Sequence, residues 1–206
     1  MESLGMILNM NSGFIHDFAV VLKKETEGIN IADHLVMLVV ETLVILLLGQ
    51  AFLKKGWISN KKVIYIMLVL AYINMLFSIT IFNRMPGSRE GIIHLNINLG
   101  FGLRTGHPSS WGLTFSLLNI LLFIPFGILA YPIFRSYKRV LRILVVTMAG
   151  ALTSLGIECI QLVTGRGMFE ISDFVTNTAG SFIGVVIAAV FYHIKERVMK
   201  GKATSI

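Results

Sequence analysis

The stretch "IECIQLVTGRGMFEISDFVTNTAG", residues 157–180, decides how this chain is read. It carries Glu158, Gln161, Arg166, Glu170, Asp173 and Asn177, yet it joins two long apolar runs. Two apolar runs meeting at a Gly-containing polar turn read as a helical hairpin. The composition says where such a hairpin lies. Of 206 residues, 55% are hydrophobic and 14% are charged, against about 25% charged in a soluble domain. Several runs approach 20 residues with few charges, the length that crosses about 30 Å of hydrocarbon. The expected fold is therefore all-α, a polytopic membrane protein with about five transmembrane helices.

The spans are expected at 35–53, 63–82, 112–134, 141–163 and 174–193. Glu41 and Gln50 interrupt the first. The basic residues then sort by side. Lys54, Lys55, Lys61, Lys62, Arg135, Lys138, Arg139, Arg142, Lys195, Arg197, Lys200 and Lys202 share one side of a five-span arrangement, twelve of the eighteen. Lys23, Lys24, Arg84, Arg89, Arg104 and Arg166 take the other. The positive-inside rule puts the N-terminus outside and the C-terminus in the cytoplasm. The net charge of +7 is thus loop bias, and no nucleic-acid partner is expected. The single cysteine, Cys159, excludes an internal disulfide. The expected organisation is an extracytoplasmic leader over 1–33, two helices with a long external loop over 34–111, a three-helix core over 112–194 and a basic tail over 195–206. The loop at 83–111 is rich in Gly and Pro and reads as no further span; within it "HLNINLGFGL" reads as an interfacial or re-entrant piece. His94 and His107 lie there without a cluster that would hold a metal. Trp111 fits an aromatic anchor at the outer boundary.

Counting 1.5 Å per residue from the outer ends places the polar residues in depth. Asn119 falls about 10 Å down, Glu158 about 8 Å and Asn177 about 5 Å, with Asp173 and Arg166 at the rim. Glu41 and Asn74 fall at about 9 and 12 Å on the same scale. One layer of the outer leaflet therefore collects them all. Spacings of three and four put Gly150, Ser154, Glu158 and Gln161 on one face of the fourth span. Asp173, Asn177, Gly180 or Ser181, Gly184 and Ala188 make the corresponding face of the fifth. Gly180-x-x-x-Gly184 is a small-residue seam, and the expected docking sets it against the fourth span. Pro125 is expected to disturb the third span, where it removes an N–H bond to Leu121.

The segments "LNILLFIPFGIL" (118–129) and "SLGIECIQLVTGRGMFEISDFVTNTAGSFIG" (154–184) resemble the VanZ-like family of bacterial membrane proteins. The resemblance covers roughly residues 112–193. It carries the family's polar positions onto Asn119, Glu158, Gln161, Arg166, Asp173 and Asn177. It implies a multi-pass protein of the bacterial plasma membrane, associated with glycopeptide-resistance genes and low-level teicoplanin resistance.

Plainer roles stand beside these. Asp173 precedes a helix, where a carboxylate caps free N–H groups. Asn119, Gln161 and Asn177 are the residue types that hold helices together by hydrogen bonds. Arg166 can meet lipid phosphates. Glu158 is the costliest residue to bury, and an ionisable group inside a membrane is a site candidate by default. The favoured reading is a non-enzymatic outer-leaflet site for an amphiphile: a membrane lipid, a lipid-linked cell-wall precursor or a lipoglycopeptide. The alternative is an intramembrane enzyme with Glu158 as proton donor and Asp173 as base. No nucleophile motif or phosphate loop accompanies the acids, and no cofactor is expected.

Overall fold

A computed structural model describes residues 14–23, 35–36, 39–40, 43, 59–82, 84–85, 87, 91–101 and 109–203. Among these, four helices are long and apolar enough to cross a membrane. The expected first span at 35–53, with Glu41, lies largely outside the described residues. Its described positions, 35, 36, 39, 40 and 43, are helical.

The chain divides into two compact units, one from Lys23–Met85 and one from Met1–Leu22 with Pro86–Ile206. The first contains α2, Asn60–Phe77. The Ser59 hydroxyl accepts the Lys62 N–H at 3.4 Å and caps its start. At its far end Ser78–Phe82 widen into a π turn. There Ser78 Oγ donates to Asn74 Oδ1 at 3.3 Å, and Thr80 Oγ1 to the Leu76 carbonyl at 2.8 Å. Such side-chain bonds answer polar groups that water cannot reach in lipid.

The second unit holds α1 (14–23) up to Leu22 and the three helices of the polar motif. These are α3 (Ser110–Ala130), α4 (Arg139–Thr164) and α5 (Ile171–Ala203). Ser109 caps α3 by accepting the Gly112 N–H at 3.2 Å. Pro125 sits inside α3. The expected span at 112–134 ends earlier, at Ala130, in a turn that contains Pro132 and has no N–H to continue the helix. Arg142 Nη2 ties this turn to α4 by donating to the carbonyls of Arg135 at 2.7 Å and Tyr137 at 3.1 Å. Its guanidinium also lies 4.6 Å from the centre of the Tyr131 ring, a cation–π contact.

The long helix α5 is the middle of the assembly. It packs along α3 most extensively and along α4 next, while α3 and α4 barely meet. Glycines decide which face goes where. A Cβ on Gly180 would strike the Ile120 carbonyl of α3, and one on Gly184 the Ile124 carbonyl. Reciprocally, a Cβ on Gly127 would strike the Ser181 carbonyl. The Gly180-x-x-x-Gly184 seam therefore meets α3, which corrects the expectation that it faces α4. The face of α5 toward α4 is the neighbouring one: a Cβ on Gly150 would strike the Ser181 side chain. A helix between two partners needs small residues on two faces about 100° apart, and positions 180 and 181 supply one each.

The core has two halves. Toward the basic turn, Ala130, Tyr131, Val146, Val185, Ala188 and Ala189 form a buried apolar cluster backed by Phe126, Phe134, Ile143 and Tyr192. Toward the 165–170 turn the buried residues include a polar set, Ser154, Glu158, Gln161, Thr176, Asn177 and Ser181, beside Ile157. The α5 helix also runs past its expected end at 193, to Ala203. Its apolar part, Ile171–Lys200, is 30 residues, or about 45 Å, longer than the hydrocarbon of a bilayer.

Between 91 and 101 the chain forms a two-residue strand flanked by bends. Ile93–His94 (β1) pairs in parallel with Phe169–Glu170 (β2), Ile93 opposite Phe169 and His94 opposite Glu170. The loop thus returns to the α4–α5 turn. Gly100, at φ 81°, lets it press on the start of α3, where a Cβ would overlap the Leu113 nitrogen.

Candidate functional site

The turn that organises the site begins at Gly165, whose φ of 61° ends α4 in the left-handed region. The Gly165 N–H reaches the Leu162 carbonyl at 3.4 Å, and the Arg166 N–H reaches that of Gln161 at 3.0 Å. This is the glycine-terminated cap that satisfies the last carbonyls of a helix. It reverses the chain within a few residues and brings the end of α4 beside the start of α5.

Glu158 lies about two turns before that cap and is 1% exposed. Its Oε2 accepts the backbone N–H of Glu170 at 2.8 Å. The buried carboxylate thus holds the strand residue that leads directly into α5. Burying a carboxylate is costly unless hydrogen bonds replace those of water, and this bond is one such replacement. Gln161, 3% exposed, lies one turn further on, beside Ile157 and Ser154 on the same buried face.

Across the interface Asn177 Nδ2 donates to Ser154 Oγ at 2.9 Å, both residues being buried. This bond joins α4 to α5 one turn deeper than Glu158 along α4. Asn177 Oδ1 is buried without a hydrogen-bond partner among the described residues, as are Ser181 Oγ and Thr114 Oγ1. Asp173 is half-buried in the first turn of α5. It therefore stands inside the helix start, where its charge meets the positive end of the dipole. Arg166 is half-buried in the turn itself.

The sequence-predicted residues thus fall into three groups. Glu158, Gln161 and Asn177 are buried along the α4–α5 contact, and Arg166 and Asp173 flank it at the turn. Asn119 stands apart. It is half-buried in mid-α3 and makes no side-chain hydrogen bond among the described residues.

Sequence reasoning missed the contribution of the 91–101 segment. The Asn98 N–H donates to Ser172 Oγ at 2.9 Å, and Ser172 Oγ donates to the Asn96 carbonyl at 3.3 Å. The Phe169 N–H reaches the Ile92 carbonyl at 3.0 Å. His94 Nδ1 lies 3.7 Å from Glu170 Oε1. Ser116 of α3 donates to the Leu99 carbonyl at 3.2 Å. A hydrogen bond from Ser110 at the start of α3 to the Asp17 carboxylate adds α1 to the same end. Only the alternation of His94, Asn96 and Asn98 with aliphatic residues hinted at an extended edge.

The arrangement is a set of carboxylates, carboxamides and a guanidinium at one end of a membrane-sized bundle, with the 91–101 segment bonded beside it to the turn and to the starts of α3 and α5. Such a set can bind polar headgroups through hydrogen bonds and charge. No curated protein and no solved structure matched the chain. The VanZ/LLP1 family pattern matches residues 35–192, which extends the likeness from the three C-terminal helices to most of the chain. Both motif segments and all six polar positions lie inside that match, and the chain belongs to the VanZ-like family of membrane proteins.

Proposed function

We propose that this VanZ-like protein contributes to glycopeptide (teicoplanin) tolerance from the bacterial plasma membrane, through a polar outer-leaflet site that binds or handles an amphiphile or a lipid-linked cell-wall component. The observation that carries the reading is the burial of Glu158 with its carboxylate on the Glu170 N–H. A membrane protein bears the cost of a buried acid where the acid has a task. The surrounding residues supply the rest: Arg166 and Asp173 at the turn, Gln161 and Asn177 on the helices.

Sidedness follows from charge. Because α4 runs from Arg139 to Thr164, its basic start and its polar end lie at opposite ends of the bundle. Arg135, Lys138, Arg139 and Arg142 favour a cytoplasmic start, so the Glu158 layer faces outward. A lipoglycopeptide and the lipid-linked precursors it meets both present polar headgroups at that depth.

The test is tolerance in cells that express single variants. Glu158→Gln and Arg166→Ala are each expected to abolish teicoplanin tolerance at unchanged surface abundance. Full tolerance in both variants would remove this layer from the mechanism.

A further inference from the structure

We propose that residues 91–101 form a lipid-contacting sill, with the side chains of Ile93, Leu95, Ile97 and Phe101 lying at the boundary between headgroups and acyl chains at the polar end of the bundle. Each of these four side chains is more than half exposed, Leu95 at 70%. The segment contains no Lys, Arg, Asp or Glu; His94 is its only titratable residue. An exposed run in which Ile93, Leu95, Ile97 and Phe101 alternate with polar residues but no Lys, Arg, Asp or Glu presents apolar side chains at a polar boundary and marks a contact.

Much of the segment's backbone is tied to protein partners. The carbonyls of Ile92, Asn96, Leu99 and Gly100 accept from Phe169, Ser172, Ser116 and Ser109, and the Asn98 N–H donates to Ser172. The Gly100 N–H donates to Asn98 Oδ1 at 3.2 Å. An extended segment is tolerated near hydrocarbon only when its polar backbone finds protein partners. Here those partners come from α5, from α3 and from the strand pair, leaving the aliphatic side chains to face outward.

Position commits the occupant to lipid. The segment lies against the start of α3, the start of α5 and the turn after α4, where three membrane-sized helices end together. At the same end of the bundle Trp111 and Phe115 on α3 and Val163 on α4 are exposed as well. Below them the same helices expose Leu121, Ile128, Met148 and Leu152, the side chains that face acyl tails in a spanning bundle. Trp at such a level is the usual marker of the interface.

The experiment uses the full chain with Cys159→Ser and a single environment-sensitive fluorophore on Leu95→Cys or Ile97→Cys. The protein is reconstituted into phosphatidylcholine–phosphatidylglycerol vesicles containing lipids brominated near the top of the acyl chain. Both labels are expected to emit blue-shifted and to be quenched by the brominated lipid, whereas a label on Glu196→Cys emits as in water. Water-like emission at both 95 and 97 would overturn the sill. So would quenching between labels that fades on dilution with unlabelled protein, which would assign this surface to a second copy. The sill is independent of the tolerance reading: Glu158→Gln is expected to leave the lipid quenching unchanged, so each proposal fails by its own measurement.

Discussion

Glu158 Oε2 and the backbone N–H of Glu170 lie 2.8 Å apart, twelve residues along the chain. This bond closes the α4–α5 turn from inside. It gives the buried acid a structural task beside the proposed functional one, and substitutions must separate the two.

Glu158→Gln keeps an oxygen for the Glu170 N–H, whereas Glu158→Leu removes it. Leu is therefore expected to destabilise by about 1–3 kcal/mol through the stranded donor, and Gln by less. Thermal unfolding of the purified protein in detergent measures both. Equal losses would show that the bond carries no stability.

The Asn177–Ser154 bond ties two helices in the polar half of the core. Asn177→Ala and Ser154→Ala, taken singly and together, are expected to show a coupling of about 0.6 kcal/mol and no more than ~1.7, as for hydrogen bonds between membrane helices. Strict additivity in this double-mutant cycle would mean the two side chains do not meet.

Gly184 and Gly156 sit on different helices and predict opposite outcomes. At Gly184 a side chain meets the α3 backbone at the Ile124 carbonyl; at Gly156 it meets nothing within 4 Å. Gly184→Val is expected to cost about 1–3 kcal/mol by overpacking. Gly156→Ala is expected to be neutral or to stabilise by up to about 1 kcal/mol through helix propensity. Unfolding midpoints of the two variants compare them directly.

At Gly150 the clash is with a side chain, that of Ser181. Gly150→Ala is expected to destabilise, and Ser181→Gly to restore the loss apart from about 1 kcal/mol for a glycine inside a helix. Failure of the second change to rescue the first would mean that α4 and α5 are docked in another register.

Sidedness has its own readout. In a Cys159→Ser background, a membrane-impermeant thiol reagent applied to intact cells is expected to label Arg166→Cys and to spare Lys200→Cys until the membrane is opened. The reverse pattern would place the Glu158 layer on the cytoplasmic side.

Much of the bundle was legible from residues alone. Apolar runs of membrane length placed the four described spans, because crossing hydrocarbon is a local demand on composition. Gly165 with Arg166 announced the turn, since a left-handed cap is a property of one residue and its neighbours. Three-and-four spacing put Gly150, Ser154, Glu158 and Gln161 on one face of a helix, and all four are buried there.

Partners were another matter. Spacing could not say whether Gly180 and Gly184 turn to α3 or α4, because a helix with small residues on two adjacent faces fits either neighbour; the carbonyls of Ile120 and Ile124 decided it. Nor could it bring Asn98 to Ser172, a bond across 74 residues. Sequence by itself determined the apolar helices of membrane length, the turn between α4 and α5 and the face of α4 that carries Glu158 and Gln161. The tertiary structure alone decided which faces meet and that the 91–101 segment bonds to the α4–α5 turn, for packing of side chains from distant segments has no local signature.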